Sequence, residues 1–237
     1  MSEFKNVIKK ALAENRTFLM EHESKDLISN YDISVGQYKV VENKNKAIEF
    51  ANEIGYPVVL KLMSPDIIHK TDARIVKLDI NSDQELKNAY EEIVVNAEKY
   101  NANAKILGVN VQKMVKQGIV EIIIGAQRDR SFGPVLMFGL GGIFVEIFKD
   151  VSYRVCPISR EEATRMIKSI KAFPLLNGYR GQPKGDIEQL IDVILKCCNL
   201  LMENPEITEL DLNPVIVFES GKGVVVVDAR IILKEVK

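Results

Sequence analysis

The sequence is poor in cysteine, in net charge and in long apolar runs. A net charge of −1 over 237 residues gives no electrostatic reason to expect binding to nucleic acid or to a membrane. The three cysteines, Cys156, Cys197 and Cys198, lack metal-ligand spacing. Neighbouring cysteines on a helix, such as Cys197 and Cys198, rarely form a disulfide, and this favours a reducing compartment. No segment is long enough to span a bilayer, and residues 1–5 lack the apolar core of a signal peptide. We therefore expect a cytoplasmic protein.

What remains is the composition of an ordinary globular protein, with 46% hydrophobic and 27% charged residues. A chain of this length forms one or two lobes. We expect an N-terminal helical segment at residues 1–24, a first α/β lobe at 25–107 and a second lobe at 108–237. A cleft between two α/β lobes is a common place for a nucleotide.

Hydrophobic periodicity predicts the elements of both lobes. A helix at 44–54 is capped by Asn43 and stopped by Gly55. The other elements of the first half are helices at 4–19, 24–31 and 83–100 and strands at 37–42, 58–63 and 75–80. Those of the second half are strands at 109–115, 119–126, 135–139, 144–148, 209–218 and 224–229 and helices at 160–171 and 187–202. The connections at 116–118 and 220–223 are short enough for hairpins.

Two basic side chains, Lys61 and His69, indicate phosphoryl chemistry. Lys61 lies on the apolar strand at 58–63, where its ammonium could reach nucleotide phosphates, although a lysine snorkelling from a strand end fits the spacing equally well. His69 is one of two histidines, and neutral imidazole is a competent nucleophile near pH 7. An isolated loop histidine is usually a surface residue, but neighbouring donors and acceptors could fix its tautomer and neutralise a phosphate: Asp66, Lys70, Thr71 and Asp72. The interpretation that follows is phosphoryl transfer between a nucleotide and His69.

A second set of polar side chains lies in the predicted C-terminal hairpin. Alternation places Glu209, Asp211 and Asn213 on one face of their strand, and the hairpin can bring Asn213 near Asp228. Several oxygen ligands on one face suit Mg²⁺, which keeps waters and phosphates as its other ligands. A solvated polar face is the alternative, and apolar neighbours that partly cover both faces weaken it. The glycine cluster at 139–142 is a weak phosphate-binding signal, because glycines also make ordinary turns.

Five segments that occur in order along the chain identify a family. They are residues 55–61 (Gly-Tyr-Pro-Val-Val-Leu-Lys), 64–72 (Ser-Pro-Asp-Ile-Ile-His-Lys-Thr-Asp), 132–134 with 138–142, 178–181 (Gly-Tyr-Arg-Gly) and 210–214 (Leu-Asp-Leu-Asn-Pro). With them the chain resembles the small β subunits of ADP-forming acyl-CoA synthetases, the ADP-forming acetate–CoA ligases of the ATP-grasp group, which are related to succinyl-CoA synthetase. The resemblance covers essentially the whole chain, and segment 64–72 is highly specific to it.

This resemblance implies an α/β (α+β) ATP-grasp fold whose two lobes hold a nucleotide and Mg²⁺ in the cleft between them. It also implies a partner α subunit that binds CoA, in an α2β2 heterotetramer. On that partner an acyl-CoA reacts with phosphate, and the phosphoryl group passes to an α-subunit histidine, then to the β-subunit histidine and finally to ADP. The chain would therefore make ATP from an acyl-CoA, ADP and phosphate, reversibly. No second α/β unit remains in this sequence to bind CoA, which agrees with a separate partner.

The resemblance also implies residue roles by position. His69 is similar to the phosphohistidine, Asp211 to an acidic residue close to it, and Lys61 to a ligand of the nucleotide phosphates. Asn213 and Asp228 match the Mg²⁺ ligands. The other nucleotide-binding residues it implies are the adenine hinge, Gln112, Lys113, Met114 and Val115, and the carboxylate Glu121.

The chain departs from the family pattern at two places, and two other functions are compatible with the fold. Ala73 and Arg74 stand where such chains often carry a glycine-containing stretch, and Gln37 stands where a proline–lysine pair is frequent, so no first phosphate lysine is assigned. A carboxylate–amine ligase of the same fold would need no histidine, and a nucleotide-sensing subunit would need no catalysis. A decayed site has no reason to keep five such residue types together: Lys61, His69, Asp211, Asn213 and Asp228.

Overall fold

The computed structural model describes residues 5–67, 70, 72–142 and 149–235. The chain forms two compact units, which we call the larger unit, Met1–Val35 with Lys116–Lys237, and the smaller unit, Gly36–Val115. These boundaries differ from the predicted ones at 24/25 and 107/108. The strand that begins at residue 108 pairs with strands of the smaller unit, and the helix at 21–29 packs against the strand at 229–233 of the larger unit. Long-range pairing therefore sets both boundaries.

The elements follow one another along the chain in three groups. Before residue 36 the chain forms α1 (Lys5–Ala13), β1 (Phe18–Leu19) and α2 (Glu21–Ser29). The smaller unit forms β2 (Tyr38–Val41), α3 (Lys44–Ile54), β3 (Val58–Met63), β4 (Val76–Ile80), α4 (Asp83–Tyr100) and β5 (Gly108–Lys113). The remainder forms β6 (Val120–Asp129), β7 (Gly133–Leu140), β8 (Val151–Val155), α5 (Arg160–Lys168), α6 (Phe173–Leu176), α7 (Ile187–Glu203), β9 (Ile207–Val217), β10 (Val224–Val226) and β11 (Ala229–Leu233).

The smaller unit is an antiparallel sheet in the order β2-β5-β3-β4. The predicted bounds of α3, β3 and α4 are confirmed. The Asn43 side chain accepts the Lys46 N–H at 3.0 Å at the start of α3, and Gly55 ends that helix with a φ of 77°. Both helices pack on one face of the sheet, where Leu60 and its alternating neighbours on β3 enter the core. Because side chains alternate along a strand, Lys61 lies on the opposite face.

The larger unit is an antiparallel sheet in the order β1-β11-β9-β6-β7-β8, with β10 paired to β9. Helices α5 and α7 cover one face of it. There Ile122 and Ile124 of β6 share a core with Leu190 and Ile194 of α7. Alternation sends the residues between them to the other face, which carries the polar side chains of β9 and β11.

One predicted hairpin is wrong and the other is confirmed. Strands β5 and β6, which flank 116–118, lie in different sheets, because β5 pairs with β2 and β3 whereas β6 pairs with β7 and β9. At the C-terminus, β9 and β10 form the expected pair, with Val217 opposite Val224. A short loop between two apolar runs is compatible with either arrangement, and the sheet that buries each strand decides which one forms.

Two predicted helices extend beyond the observed ones. The helix expected at 4–19 ends at Ala13, and Phe18–Leu19 instead pairs with β11. The helix expected at 160–171 ends at Lys168. The strand expected at 144–148 lies outside the described residues.

The cysteines contribute packing. Cys156, Cys197 and Cys198 are free and buried, and all three belong to the core of the larger unit. Cys197 and Cys198 therefore serve as packing residues of α7. Among the described residues, no α-helix combines the length and the apolar character needed to cross a membrane.

Candidate nucleotide and phosphoryl-transfer site

Lys61 is held in the middle of a sheet rather than at a strand end. It is the fourth residue of β3, and the backbone register places it opposite Asn110 of β5 on one side and Val76 of β4 on the other. It is 7% exposed. A lysine that is almost fully buried in mid-strand does not fit the snorkelling interpretation, in which the charge reaches water from a strand end. Its position is compatible with the phosphate-binding interpretation.

The loop that carries His69 is described on both sides of that residue, whereas His69 and Thr71 themselves lie outside the described residues. On the N-terminal side, the Asp66 carboxylate accepts the Lys105 N–H at 2.7 Å, so one of its oxygens holds the backbone instead of an imidazole. The next residue, Ile67, is buried. These contacts fix the start of the loop.

On the C-terminal side, Arg74 has a left-handed backbone conformation. Its φ is 52°, which is the left-handed region that glycine favours. Its carbonyl accepts the Asn96 side-chain N–H at 3.0 Å, and Ala73 beside it is buried. A non-glycine residue in this region carries backbone strain, which the surrounding contacts hold in place.

The two predicted metal ligands lie opposite each other. The register pairs Val226 with Val215 and Ala229 with Leu212, so Asp228 and Asn213 occupy facing positions between these pairs. Both side chains are half-buried. One oxygen of Asp228 accepts the Ala229 N–H at 2.8 Å. The expected juxtaposition of one amide and one carboxylate is therefore present, and this donor set is compatible with Mg²⁺.

The glycine cluster lies directly beside this pair. The Gly142 N–H donates to Asn213 Oδ1 at 3.0 Å. A Cβ at Gly142 would lie 2.6 Å from Glu121 Oε2, and the φ there is 61°. Gly141 N–H donates to the Glu121 carbonyl at 2.9 Å. The cluster thus brings the predicted nucleotide-side carboxylate, Glu121, next to the predicted metal ligand Asn213.

Asp211 lines a cavity on the open face of the larger sheet. The cavity measures about 840 Å³ and is also lined by Gly125, Gln127, Glu209 and Arg230. Asp211 Oδ1 is buried and has no hydrogen-bond partner among the described residues. Burial raises the pKa of Asp211, Arg230 opposes this shift, and the charges of Asp228 and Glu209 add to it. The wall of this cavity thus includes a residue with a buried carboxylate oxygen that lacks a hydrogen-bond partner among the described residues.

The predicted adenine hinge ends the smaller unit. Gln112 is buried. The Lys113 ammonium donates to the carbonyls of Gly55 and Tyr56 at 2.8 and 2.9 Å, and the Met114 N–H donates to the Pro57 carbonyl at 3.1 Å. The Lys113 side chain therefore holds the backbone at Gly55 and Tyr56.

The fold gathers the predicted residues into two sets. Lys61 and residues 112–115 belong to the smaller unit, and the larger unit brings the other set together on its sheet: Glu121, Asp211, Asn213 and Asp228. Sequence reasoning treated the glycine cluster at 139–142 only as a weak phosphate-binding signal and assigned no role to Asn110. The signal for Gly142 was its glycine cluster, and that for Asn110 was a polar residue between two buried valines.

Comparison with known proteins agrees with this geometry. A family model described as an ATP-grasp domain matches residues 10–233. The β subunit of acetate–CoA ligase [ADP-forming] II from Pyrococcus furiosus is 49% identical over 229 residues, which cover 96% of this chain and 97% of that protein. The chain therefore belongs to the ATP-grasp family and, within it, to the β subunits of ADP-forming acetate–CoA ligases. The predicted family and α/β fold class are confirmed.

Two solved structures have a similar fold. The crystal structure of PH1788 from Pyrococcus horikoshii Ot3 superimposes with a TM-score of 0.94 at 47% identity, covering 99% of each chain. The acetyl-coenzyme A synthetase 1 of Ca. Korarchaeum cryptofilum gives a TM-score of 0.86 at 44% identity, covering 98% of this chain and 100% of that one. That enzyme is described in complex with coenzyme A and Mg-AMPPCP, with its phosphohistidine segment pointing towards the nucleotide-binding site.

Proposed function

We propose that this chain is the nucleotide-binding β subunit of an ADP-forming acetyl-CoA synthetase, an acid–thiol ligase. The reaction converts an acyl-CoA, ADP and phosphate into the acid, ATP and CoA, reversibly, and the phosphoryl group passes through His69. The observation that carries the proposal is 49% identity along nearly the full length of such a subunit. The histidine-bearing segment 64–72 and the phosphohistidine segment of the Korarchaeum enzyme support it further.

In this proposal His69 is the residue that carries the phosphoryl group. In the direction of ATP use, an imidazole nitrogen attacks the γ-phosphorus of ATP, the P–N bond forms, and ADP leaves with the electron pair of the broken P–O bond. The reverse transfer makes ATP. Asp211 accepts the N–H of the other imidazole nitrogen, which leaves the attacking nitrogen unprotonated. The unpartnered buried oxygen of Asp211 supports this role.

The other residues hold and neutralise the nucleotide. Lys61 binds the phosphates from its buried position, where a charge is screened less than at the surface. Backbone groups of residues 112–115 bind the adenine, and Glu121 supplies a carboxylate on the nucleotide side of the site. Phosphoryl transfer depends mainly on such positioning and charge neutralisation.

The oxygens of Asn213 and Asp228 fit Mg²⁺, because this ion prefers hard oxygen ligands and keeps waters and phosphates around it. When bound, the ion would withdraw charge from the β- and γ-phosphate oxygens. The facing register positions of the two residues support the assignment.

A CoA-binding α subunit completes the proposed enzyme, as an α2β2 heterotetramer in the cytoplasm. The β-subunit designation of the Pyrococcus furiosus relative supports a separate partner. The three free cysteines are compatible with a reducing compartment.

The experiment is labelling of the purified chain with γ-³²P-ATP and Mg²⁺. We expect a phosphate that is labile in acid and stable in base, as phosphohistidine is. His69→Asn should abolish the label. His22→Asn is the matched control, since these are the two histidines of the chain, and it should keep the label. Label that survives in His69→Asn, or no label on the native chain, would contradict the proposal.

A further inference from the structure

Asn110 is a buried amide that nothing in the fold explains. Its exposed fraction is 0%. Neither Oδ1 nor Nδ2 has a hydrogen-bond partner among the described residues. The large majority of buried polar side chains are hydrogen-bonded, because an unpaired buried donor or acceptor loses its water without compensation. An amide with both atoms unsatisfied therefore needs a reason for its presence.

The sheet places this amide beside Lys61. Across strands β2, β5, β3 and β4 of the smaller sheet, the register places one residue of each strand in a single row: Val40, Asn110, Lys61 and Val76. Directly opposite residues of antiparallel strands have Cβ atoms about 4.5–5.5 Å apart and project to the same face. Asn110 therefore lies between the apolar residue Val40 on one side and the side chain of Lys61 on the other.

The opposite face of β5 shows that the strand does not require an amide for packing. Val109 and Val111, on either side of Asn110, are both buried in the core of the smaller unit. An apolar residue at 110 would satisfy a central strand equally well. The amide is therefore retained at a cost in stability, which a ligand can offset when it binds.

We propose that Asn110 is a further nucleotide-binding residue, whose side-chain amide donates to a phosphate oxygen that Lys61 also contacts. This inference rests on the proposed function, because it takes the ligand of Lys61 to be a nucleotide phosphate. The two groups complement each other. An ammonium supplies charge with freely rotating donors, whereas an amide supplies a donor of fixed direction.

The test measures binding of Mg-ADP to the full-length chain by calorimetry. Asn110→Leu removes the amide at nearly constant size and should weaken binding roughly tenfold or more, as expected for loss of a hydrogen bond to a charged group. Lys61→Met should weaken it as well. Because both groups contact one phosphate, the fold-loss of Mg-ADP affinity in the double variant should be smaller than the product of the fold-losses in the two single variants.

Thermal melting of the ligand-free chain separates binding from folding. Asn110→Leu should melt at the same temperature as the native chain or higher, since the amide has no partner to lose. Asn110→Ala, which adds no bulk, decides the binding result if the leucine variant does not fold. A fall in the melting temperature with unchanged affinity would overturn the inference and make Asn110 a structural residue.

The outcomes also distinguish this inference from the proposed function. If the native chain binds Mg-ADP and Lys61→Met weakens binding but Asn110→Leu does not, the Asn110 inference alone fails. If the loss of Mg-ADP affinity in the double variant equals the product of the two single losses, the claim that Asn110 and Lys61 contact the same phosphate is overturned. If the native chain neither binds Mg-ADP nor becomes phosphorylated, the proposed function fails and the inference fails with it.

Discussion

At the scale of single residues, Gly142 joins two parts of the candidate site. Its N–H donates to Asn213 Oδ1 at 3.0 Å, and the position of its absent side chain is taken by the Glu121 carboxylate, 2.6 Å from an ideal Cβ. Its φ of 61° is also one that glycine adopts without strain. Glycine is therefore required here for two separate reasons, and the two can be tested apart.

Gly142→Ala should weaken nucleotide binding by displacing Glu121. We expect the ATP concentration for half-maximal labelling to rise about tenfold, or ~1.4 kcal/mol. Gly221→Ala is the matched control, because its φ is 82° but nothing lies within 4 Å of its ideal Cβ. Both variants should lose about 1–2 kcal/mol of unfolding free energy to backbone strain, and only the first should change binding. Equal ATP dependence in both variants would refute the role of Glu121.

Asp228→Asn tests the proposed Mg²⁺ pair without changing the size of the side chain. An amide supplies an oxygen ligand but no charge, so Mg²⁺ should bind more weakly. We expect the Mg²⁺ concentration for half-maximal labelling of His69 to rise, with full labelling recovered at high Mg²⁺. Labelling with an unchanged Mg²⁺ dependence would place the ion elsewhere.

At the scale of elements, the start of α2 is fixed by one carboxylate. Glu23 accepts the Met20 N–H at 2.8 Å and receives two hydrogen bonds from the Arg16 guanidinium at 2.7 and 2.9 Å. The exposed fraction of each side chain in this pair is 12%. Burial raises the pKa of Glu23, but the hydrogen bonds from Arg16 and Met20 outweigh it, and the pKa lies below its usual value.

Glu23→Gln should therefore destabilise the chain by about 2 kcal/mol at neutral pH. A carboxylate with a lowered folded pKa contributes stability above its unfolded pKa near 4.5, and this contribution is lost as the pH falls through the folded pKa. Urea unfolding between pH 3 and 7 measures it. The native chain and the variant should differ most at neutral pH and converge in acid, and a constant difference would contradict the pairing.

At the scale of the whole molecule, each unit has its own sheet and its own core. The proposed phosphate lysine and adenine hinge belong to the smaller unit, and the proposed metal ligands and Asp211 belong to the larger one. Neither unit contains the complete set of proposed nucleotide contacts.

The isolated chain should accordingly perform only half of the reaction. We expect it to become phosphorylated by ATP but to show no ATP synthesis from acetyl-CoA, ADP and phosphate. Adding a CoA-binding α subunit of an ADP-forming acetate–CoA ligase should restore synthesis, and His69→Asn should abolish it again. ATP synthesis by the isolated chain would contradict the expected need for an α subunit.

Local periodicity was sufficient for several elements. Helix α3 with its Asn43 cap, the buried strand β3 and the long helix α4 have the predicted bounds, because these signals depend on residues within a few positions of one another. The predicted hairpin at 116–118 failed because a turn signal says nothing about the partner of each strand. The β5 and β6 strands are buried in separate sheets, and each pairs with strands distant in sequence.

The sequence by itself determined which residue types were available and which family the chain belongs to, including the Lys61 and His69 motif. Only the tertiary structure decided that Gly142 donates to Asn213, that Asp211 lines a cavity and that Asn110 is buried opposite Lys61. The physical reason is strand register. Register is set by the burial of whole sheet faces, and it brings together side chains that no local pattern connects.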